Sequence, residues 1–494
     1  MNRYEFGRRY RRNRMRRKIL RCLAGLLCAG AIGAGGWFAV SALRGQQENN
    51  NVQIARLQAE NEDVTNTAAA GANTDGTTDG SAGMGTGSTT DGSGLETATL
   101  QSPLELLLAR ADTLALGYDY DAAIALLQND TEYSTEPAVQ SAIADYEATK
   151  AALIRVDVTQ VTHVFFHSLI VDPAKAFDGD ADQDGFNQVM TTVSEFKKII
   201  RSMYDRGFVL VSLHDLACES TDENGNTVMK AGDILLPEGK TPFVMSQDDL
   251  CYYIYMDGDG FASRMVIGED GKPTCEMTLE DGSTVTGAYD LVPILEEFIQ
   301  EHPDFSYRGA RAVLAFTGYQ GILGYRTAYN YADSDTYEQD KQTATKVAQC
   351  LRDNGWELAS HSWGHLNLGE IEMERFREDT DKWKDEVESL IGPTDIILFP
   401  FGTDIGDWHP YSSDNERYAY LYEKGFRYFC NVDSSRYWVQ LNGKCFRQGR
   451  RNLDGYRMWK DITAEAEGRE RKLEDIFHAE DVFDEARPTP VPDL

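Results

Sequence analysis

Cysteine is scarce in this sequence of 494 residues, and its spacing excludes a common class of metal site. The chain has eight cysteines, and two of them, Cys22 and Cys28, fall in a strongly apolar segment. The others form no CxxC pair, which excludes zinc knuckles and similar structural zinc sites. No disulfide pairing follows from their spacing, and buried free thiols are equally compatible with it. These six are Cys218, Cys251, Cys275, Cys350, Cys430 and Cys445.

Basic residues are also few. The chain has 48 Lys and Arg against 80 Asp and Glu, which gives a net charge of −32. Nucleic-acid binding needs basic patches that contact phosphates, so the acidic body of the chain is not expected to bind nucleic acid. The exception is residues 1–21, which hold ten basic residues and one acid, Glu5.

Long apolar runs are missing, apart from one directly after this basic segment. Residues 22–43 contain no charge, and about 20 apolar residues span a bilayer as a helix. Because flanking Arg and Lys stay in the cytoplasm, we predict a cytoplasmic tail over 1–21 and a single transmembrane helix over 22–43. The rest of the chain would then lie outside the cell membrane. A cleaved signal peptide is the alternative, although its apolar core is usually shorter, about 7–15 residues.

The next segment contains little that could form a core. Residues 44–100 hold a short juxtamembrane stretch and then mostly Thr, Gly, Ser, Ala, Asp and Asn. Such a composition predicts a disordered linker. A helix start follows at once, with Ser102 as the N-cap, Pro103 at the first helical position and Glu105 completing a capping box. We expect a small helical module over 101–155, similar to one tetratricopeptide-type hairpin.

Residues 156–460 alternate between β-rich and amphipathic helical runs. This alternation predicts a parallel sheet, and its length favours a (β/α) barrel. An inserted β-hairpin is expected near 264–286, where "EDGK" and "EDGS" are turn signals. Residues 461–494 are charged and are expected to form a C-terminal tail. The predicted strands are "VTHVFF", "FVLVSL", "PFVMSQ", "AVLAFTG", "WELAS", "DIILFPF" and "RYFCNV".

Several of these strands end in side chains that can carry chemistry. Asp248 and Asp249 follow "PFVMSQ", and His361 and His365 follow "WELAS". The carboxyl ends of barrel strands meet at one rim, so these residues are expected to lie close together. Two His four residues apart can share a metal ion, and one carboxylate completes a set of three ligands with an open position, as in catalytic zinc sites. The second Asp is then free to act as a general base.

These segments resemble a known family. "SQDD", "HSWGH" and "FPFG" are similar to motifs one, two and three of the polysaccharide deacetylases, the NodB-homology family that includes carbohydrate esterase family 4, and the resemblance covers about residues 160–450. It implies a distorted (β/α) barrel that uses one divalent metal ion, with Zn²⁺ favoured, to remove N-acetyl groups from amino sugars. The residues implied are Asp248 as the base, Asp249, His361 and His365 as metal ligands, and the backbone at Phe401 and Gly402 beside the oxyanion.

The sequence departs from the family pattern at two places. Leu398 stands where many members have the Arg of motif three, and the one His near the C-terminal end, His478, lies in a charged stretch and is expected to be exposed. The early segment "HVFFHSL" resembles the exported poly-N-acetylglucosamine deacetylase branch, whose barrel order is permuted and whose motif three lacks the Arg. This resemblance implies that His167 is the general acid. It also implies that Asp433 and Trp438 orient the catalytic pair or line the substrate groove.

A separate acidic stretch, "DGDADQDGF", has the spacing of a calcium loop. Asp180, Asp182 and Asp184 match the ligand positions, but Thr191 stands where an EF-hand needs Glu. A partial calcium site and a solvated acidic turn both remain open.

We therefore predict a membrane-anchored, outward-facing, metal-dependent hydrolase that removes N-acetyl groups from a cell-envelope or extracellular polysaccharide. Two alternatives remain. One is a catalytically impaired barrel of the same fold that binds glycan. The other is a glycoside hydrolase that uses Asp248 with Asp404 or Asp407, although this alternative gives the two His no role. Peptidoglycan, poly-N-acetylglucosamine and chitin-like oligomers are all open as substrates.

Overall fold

The computed structural model describes residues 102–406 and 408–494. The cytoplasmic tail, transmembrane helix and linker predicted for residues 1–100 lie outside this part of the chain. No helix among the described residues has the length and apolar character needed to cross a bilayer.

Strands and helices alternate along most of the described chain. The strands, in chain order, are β1 (Ile154–Arg155), β2 (Thr162–Phe166), β3 (Phe208–Leu210), β4 (Ala217–Thr221), β5 (Thr227–Ala231), β6 (Leu235–Leu236), β7 (Thr241–Gln247), β8 (Arg264–Ile267), β9 (Pro273–Thr278), β10 (Thr284–Gly287), β11 (Val313–Phe316), β12 (Glu357–Ser360), β13 (Ile396–Leu398), β14 (Tyr428–Val432), β15 (Val439–Asn442) and β16 (Cys445–Asn452). The α-helices are α1 (Pro103–Leu116), α2 (Tyr120–Gln128), α3 (Pro137–Ala151), α4 (Pro173–Ala176), α5 (Gln183–Val189), α6 (Val193–Asp205), α7 (Leu213–Leu216), α8 (Leu291–Glu301), α9 (Tyr337–Asp353), α10 (Met373–Trp383), α11 (Ser389–Ile391), α12 (Glu416–Glu423), α13 (Gly455–Ile462) and α14 (Ala479–Val482).

The predicted barrel is confirmed as a closed ring of seven parallel strands. The ring runs β2–β7–β11–β12–β13–β14–β16 and returns to β2. On one side, strand β7 pairs with β3 through its first residues and with β11 through its last residues. Strand β3 therefore occupies only part of that side of β7, and the barrel is distorted. Because all seven strands are parallel, their carboxyl ends meet at one rim, where barrels of this class carry their chemistry.

Residues along each strand alternate between two apolar clusters. Phe243, Met245 and Leu314 belong to the layer between the strands and the surrounding helices, whereas Val244 and Val313 belong to a cluster inside the barrel. This alternation follows from the two-residue period of a strand. The same alternation determines which side chains of each strand point into the barrel.

The helical module of α1, α2 and α3 packs against the amino-terminal end of the barrel. The Tyr118 hydroxyl donates to the carbonyl of Asp304 (2.8 Å), and the Arg308 N–H donates to the carbonyl of Gly117 (2.7 Å). Leu107 and Ala111 of α1 join the same apolar cluster as the interior of the barrel. The module therefore closes the end of the barrel that lies opposite the rim formed by the carboxyl ends of the strands.

Two other segments differ from their sequence predictions. The insertion near 264–286 is a three-stranded antiparallel sheet, β10–β9–β8, rather than a hairpin. Residues 461–494 are not a free tail, because apolar side chains spaced among the charges pack into the core. Arg487 and Glu195 also form a fully buried ion pair (2.6 Å) that joins this segment to α6. The core side chains of this segment are Leu473, Ile476, Phe477, Ala479 and Val482.

A pH-dependent contact joins α7 to the end of the barrel that the module closes. His214 bonds through Nδ1 to Glu357 and through Nε2 to Asp395 (3.0 Å). Burial alone would lower the pKa of His214, but the hydrogen bonds to Asp395 and Glu357 outweigh it and raise the pKa to about 10. The stabilisation that the protonated His214 gives to the folded state is therefore fully present below the unfolded-state pKa of about 6.5. It is lost as the pH rises through 10.

We expect the free energy of unfolding to fall more steeply with pH in the wild type than in His214→Gln. Because the imidazole is 45% exposed, solvent screens the ion pairs, and the difference between the two proteins should change by about 1 kcal/mol from pH 7 to 9.5. Urea unfolding of both proteins at the two pH values measures this change. Equal pH dependence in the two proteins would contradict the assignment.

Candidate active site

The acid pair lies directly after β7, at the carboxyl rim. The Asp248 N–H donates to the carbonyl of Phe166 (2.8 Å), which extends the pairing of β2 with β7 by one residue. Asp248 is 3% exposed, and Asp249 has a left-handed backbone with φ 58°. This change of backbone direction lets the two neighbouring carboxylates face different partners.

The two histidines follow β12 on the same rim. The His361 N–H donates to the carbonyl of Phe316 (2.9 Å), and His361 Nδ1 lies 2.7 Å from the carbonyl oxygen of Leu398. Since a carbonyl only accepts, Nδ1 carries the proton and the Nε2 lone pair is left free to bind a metal. The loop that leads to His365 is fixed by Asp379, which accepts from the N–H groups of Trp363 (2.9 Å) and Gly364 (2.8 Å).

Asp249, His361 and His365 can hold one metal ion. Each offers a ligand atom, and these atoms lie within 4.8 Å of one another. His365 Nε2 is 3.6 Å from Asp249 Oδ2, and the two imidazole centroids are 5.1 Å apart. The Tyr253 hydroxyl donates to the other carboxylate oxygen of Asp249 (2.6 Å), which orients that group. Two imidazoles and one carboxylate are the donor set of a catalytic zinc site, so these residues fit the predicted ion.

The backbone around this group is strained. Asp249, Ser362, His365 and Phe401 all have positive φ without being glycine. Each such conformation costs on the order of 1–3 kcal/mol, and such residues cluster at functional sites. The clustering here supports a functional rather than a purely structural role for this rim.

Asp248 is held as a carboxylate by an arginine that the sequence did not single out. Arg450 of β16 donates from Nη1 to Asp248 Oδ1 (2.6 Å), and the Arg450 side chain is fully buried. Burial alone would raise the pKa of Asp248, but the positive charge of Arg450 outweighs it and holds the pKa far below its usual range. His361 Nε2 lies 3.9 Å from the other oxygen, Asp248 Oδ2.

The surroundings also shift the pKa values of the metal-binding residues. Burial alone would raise the pKa of Asp249, but His365 and His361 outweigh it and lower the pKa. Burial lowers the pKa of His361 and so favours the neutral imidazole. A charged Asp249 and a neutral His361 are the forms that bind a cation.

His167 lies just beyond the end of β2, near the acid pair. Its Nδ1 is 3.0 Å from the carbonyl oxygen of Val189, which fixes the proton on Nδ1 and leaves Nε2 free. Its charge is among the causes that lower the pKa values of Asp248 and Asp249. Asp454, which the sequence did not single out, also interacts with His167. Burial raises the pKa of Asp454, and His167 lowers it in part. The side chain of Asp454 accepts from Asn452 (2.7 Å) and from the N–H of Arg457 (2.7 Å).

Phe401 and Gly402 form the rim next to His365. The Phe401 ring is 70% exposed, and its centroid lies 4.6 Å from that of His365. Gly402 has φ 62°, and a Cβ there would lie 2.3 Å from the Cβ of Val432. The turn after β13 therefore requires glycine at this position.

The remaining predicted groove residues lie beside β16, where a Cβ at Gly449 would come 2.8 Å from the Cβ of Asp433 and 3.2 Å from the Cβ of Trp438. Asp433 Oδ1 accepts from the N–H of Ser435 (2.6 Å), and the Trp438 ring packs edge-on against Trp408, with centroids 5.1 Å apart. Asp404 is occupied by Arg447 (2.8 Å) and other donors, so it is not free to act as an acid in glycoside hydrolysis. Asp407, the other acid considered for that reaction, lies outside the described residues.

The acidic stretch near residue 180 forms a different group from the predicted one. Asp180 and Asp182 come together with Asp259, and their carboxylate oxygens lie within 4.8 Å of one another. Asp184 is instead in the first turn of α5 and does not belong to this group.

Comparisons with known proteins add a family to this geometry. The family model for polysaccharide deacetylase matches residues 327–416, which include His361, His365, Phe401 and Gly402 but not the acid pair. Comparison with curated protein sequences gives no match. The solved structure of the deacetylase PplD from Streptococcus pyogenes, in complex with acetate, has 9% identity and a TM-score of 0.32, and covers 61% of this chain and 94% of its own. An assigned polysaccharide deacetylase from Bacillus anthracis has 10% identity and a TM-score of 0.31, with 60% and 65% covered.

The fold and the site thus define a parallel barrel with a possible metal-binding group at one rim. Residues 327–416 match the polysaccharide deacetylase family, and this match supports an enzyme of the deacetylase class.

Proposed function

We propose that this protein is a metal-dependent hydrolase that removes N-acetyl groups from an amino-sugar polysaccharide. The observation that carries the proposal is the convergence of Asp249, His361 and His365 at one rim, with Asp248 and His167 beside them. A metal-binding group, a free carboxylate and an imidazole are the parts that amide hydrolysis needs.

Asp249, His361 and His365 would hold the ion, and zinc suits this donor set best among divalent ions. When bound, such an ion supplies Lewis acidity to the amide carbonyl and to water. The protein orients its ligands through Leu398, which fixes the His361 ring, and Tyr253, which fixes the Asp249 carboxylate.

Asp248 acts as the general base in this proposal. It is kept ionised by Arg450 and lies one residue from the ligand Asp249, so it can accept a proton from the attacking water. His167 acts as the general acid. Its Nε2 is the nitrogen left free by Val189, and a proton carried there can pass to the leaving amine. The backbone near Phe401 and Gly402 would help to hold the developing oxyanion.

We also infer that the catalytic domain works outside the cell membrane. The support is the Arg-rich segment 1–21 followed by the uncharged run 22–43. A polysaccharide of the cell envelope or its surroundings is the substrate that such a location would offer. Protease accessibility of the domain in intact cells tests the location.

An acetate-release assay on the full-length chain tests the function. We expect release from at least one of peptidoglycan, poly-N-acetylglucosamine or chitin oligomers, loss of release after chelation, and recovery on adding Zn²⁺. Binding without acetate release would favour the impaired glycan-binding barrel. New reducing ends without acetate would favour a glycoside hydrolase.

A further inference from the structure

The barrel interior beneath Asp248 contains a group of buried polar side chains. His163, Ser246, Gln448 and Arg450 are all 0% exposed, and neighbouring interior positions such as Val244 are apolar. Burying polar groups is costly unless they are hydrogen-bonded. We call these four residues the polar column.

The polar column is one continuous chain of hydrogen bonds that ends on Asp248. Arg450 Nη1 lies 2.6 Å from Asp248 Oδ1 and 3.2 Å from Ser246 Oγ. Ser246 Oγ lies 2.9 Å from His163 Nε2, and His163 Nδ1 lies 3.1 Å from Gln448 Oε1. Gln448 Nε2 donates to the carbonyl of Val161 (3.0 Å).

The direction of each bond in this chain can be assigned. The carbonyl of Val161 can only accept, so the amide nitrogen of Gln448 faces it and the amide oxygen faces His163. That oxygen also only accepts, so His163 carries its proton on Nδ1. In the neutral ring Nε2 is then an acceptor, so Ser246 donates to it. The Ser246 oxygen in turn accepts from Arg450.

This series of hydrogen bonds requires a neutral His163. A proton on Nε2 would turn the Ser246 hydroxyl toward Arg450 and set donor against donor. Burial lowers the pKa of His163 well below its usual range, and the charge of Arg450 lowers it further. The environment therefore favours the one protonation state that the bonds allow.

Arg450 depends on the polar column for its orientation. Its Nε and Nη2 are buried without a hydrogen-bond partner among the described residues. Both bonds that fix its head group come from Nη1, one to Asp248 and one to Ser246. The Phe165 ring, 4.4 Å from the guanidinium carbon, covers one face.

We propose that the polar column holds the Asp248 carboxylate in place through Arg450, and that Ser246 and His163 are positioning residues for catalysis. This inference rests on the proposed function, because it assumes that Asp248 is the general base. A shift of about 1 Å in a reacting group can cost about 10²-fold in rate, so the loss of one support should appear in kcat.

Ser246→Ala in the full-length chain tests the proposal. We expect kcat for acetate release to fall about 10- to 100-fold, with KM and metal content unchanged, because Ser246 is buried and is not a metal ligand. Ser168→Ala is the matched control. Ser168 is also buried and close to the site, but its hydroxyl has no hydrogen-bond partner among the described residues. Equal kcat values in the two variants would overturn the proposal.

His163 gives a second test through its conservative variant. The amide oxygen of glutamine can take the place of Nε2 as the acceptor from Ser246, and leucine cannot. We therefore expect His163→Gln to retain most of kcat and His163→Leu to lose it. Similar losses in both variants would show a structural role only.

Nuclear magnetic resonance of the ¹⁵N-histidine-labelled protein reads the bond directions without substrate. The chain has eight histidines, and comparison with His163→Gln assigns the signal of His163. We expect a neutral ring protonated on Nδ1, and a ring protonated on Nε2 would overturn the assigned directions. Because this measurement needs no turnover, it separates failure of the polar column from failure of the proposed deacetylase activity.

Discussion

Asp248→Asn is expected to lower kcat for acetate release by about 10²–10⁴-fold, the usual contribution of a general base. Asparagine keeps an oxygen that can accept from Arg450, so the fold should be retained. Asp249, His361 and His365 are unchanged, so the metal content should also be retained. Acetate release and metal analysis on the same preparation measure both expectations.

The exposed Asp335 provides the matched control for this substitution. Asp335→Asn makes the same chemical change at an exposed residue outside the metal-binding group and should leave kcat unchanged. Loss of metal from Asp248→Asn would mean that Asp248 rather than Asp249 is the ligand. Full activity in Asp248→Asn would eliminate it as the base.

His365→Ala is expected to abolish stoichiometric metal binding and acetate release together. Changes that merely orient a metal ligand cost about 10–100-fold in affinity or activity, and loss of the ligand itself should exceed that. His365 is suited to this test because its side chain is 26% exposed, whereas that of His361 is 2% exposed. Removing it should therefore disturb the core less.

Metal analysis after desalting, together with acetate release at saturating Zn²⁺, measures the effect. His478→Ala is the matched control, since His478 is exposed and lies in the C-terminal segment. Normal metal content in His365→Ala would show that this residue does not bind the ion.

Most of the barrel could be predicted from hydrophobic patterns, but one strand could not. The seven predicted strands correspond to β2, β3, β7, β11, β12, β13 and β14. Strand β16, which closes the ring, reads "CFRQGRRN" and carries too many polar residues to be recognised as buried. Its Gln448 and Arg450 are polar because they bond inside the barrel to His163 and Asp248, and these partners are distant in sequence.

The same limit applies to the site. Motif resemblance was enough to select Asp248, Asp249, His361, His365 and His167, which the structure brings to one rim. Arg450 was missed because nothing nearby in the sequence marks it as the partner of Asp248. The pattern that could have revealed it is the occurrence of three Arg within one β-rich run that carries no turn signals.

The helical module at the amino-terminal end of the barrel limits how far this protein can be truncated. A fragment that begins at β2 would lose Leu107, Ala111 and Tyr118 from the cluster that they share with Leu213 and Tyr307. The apolar side chains at that end of the barrel would then be exposed to solvent, and the fragment is expected to aggregate. The shortest piece suited to crystallisation or display therefore begins at Ser102.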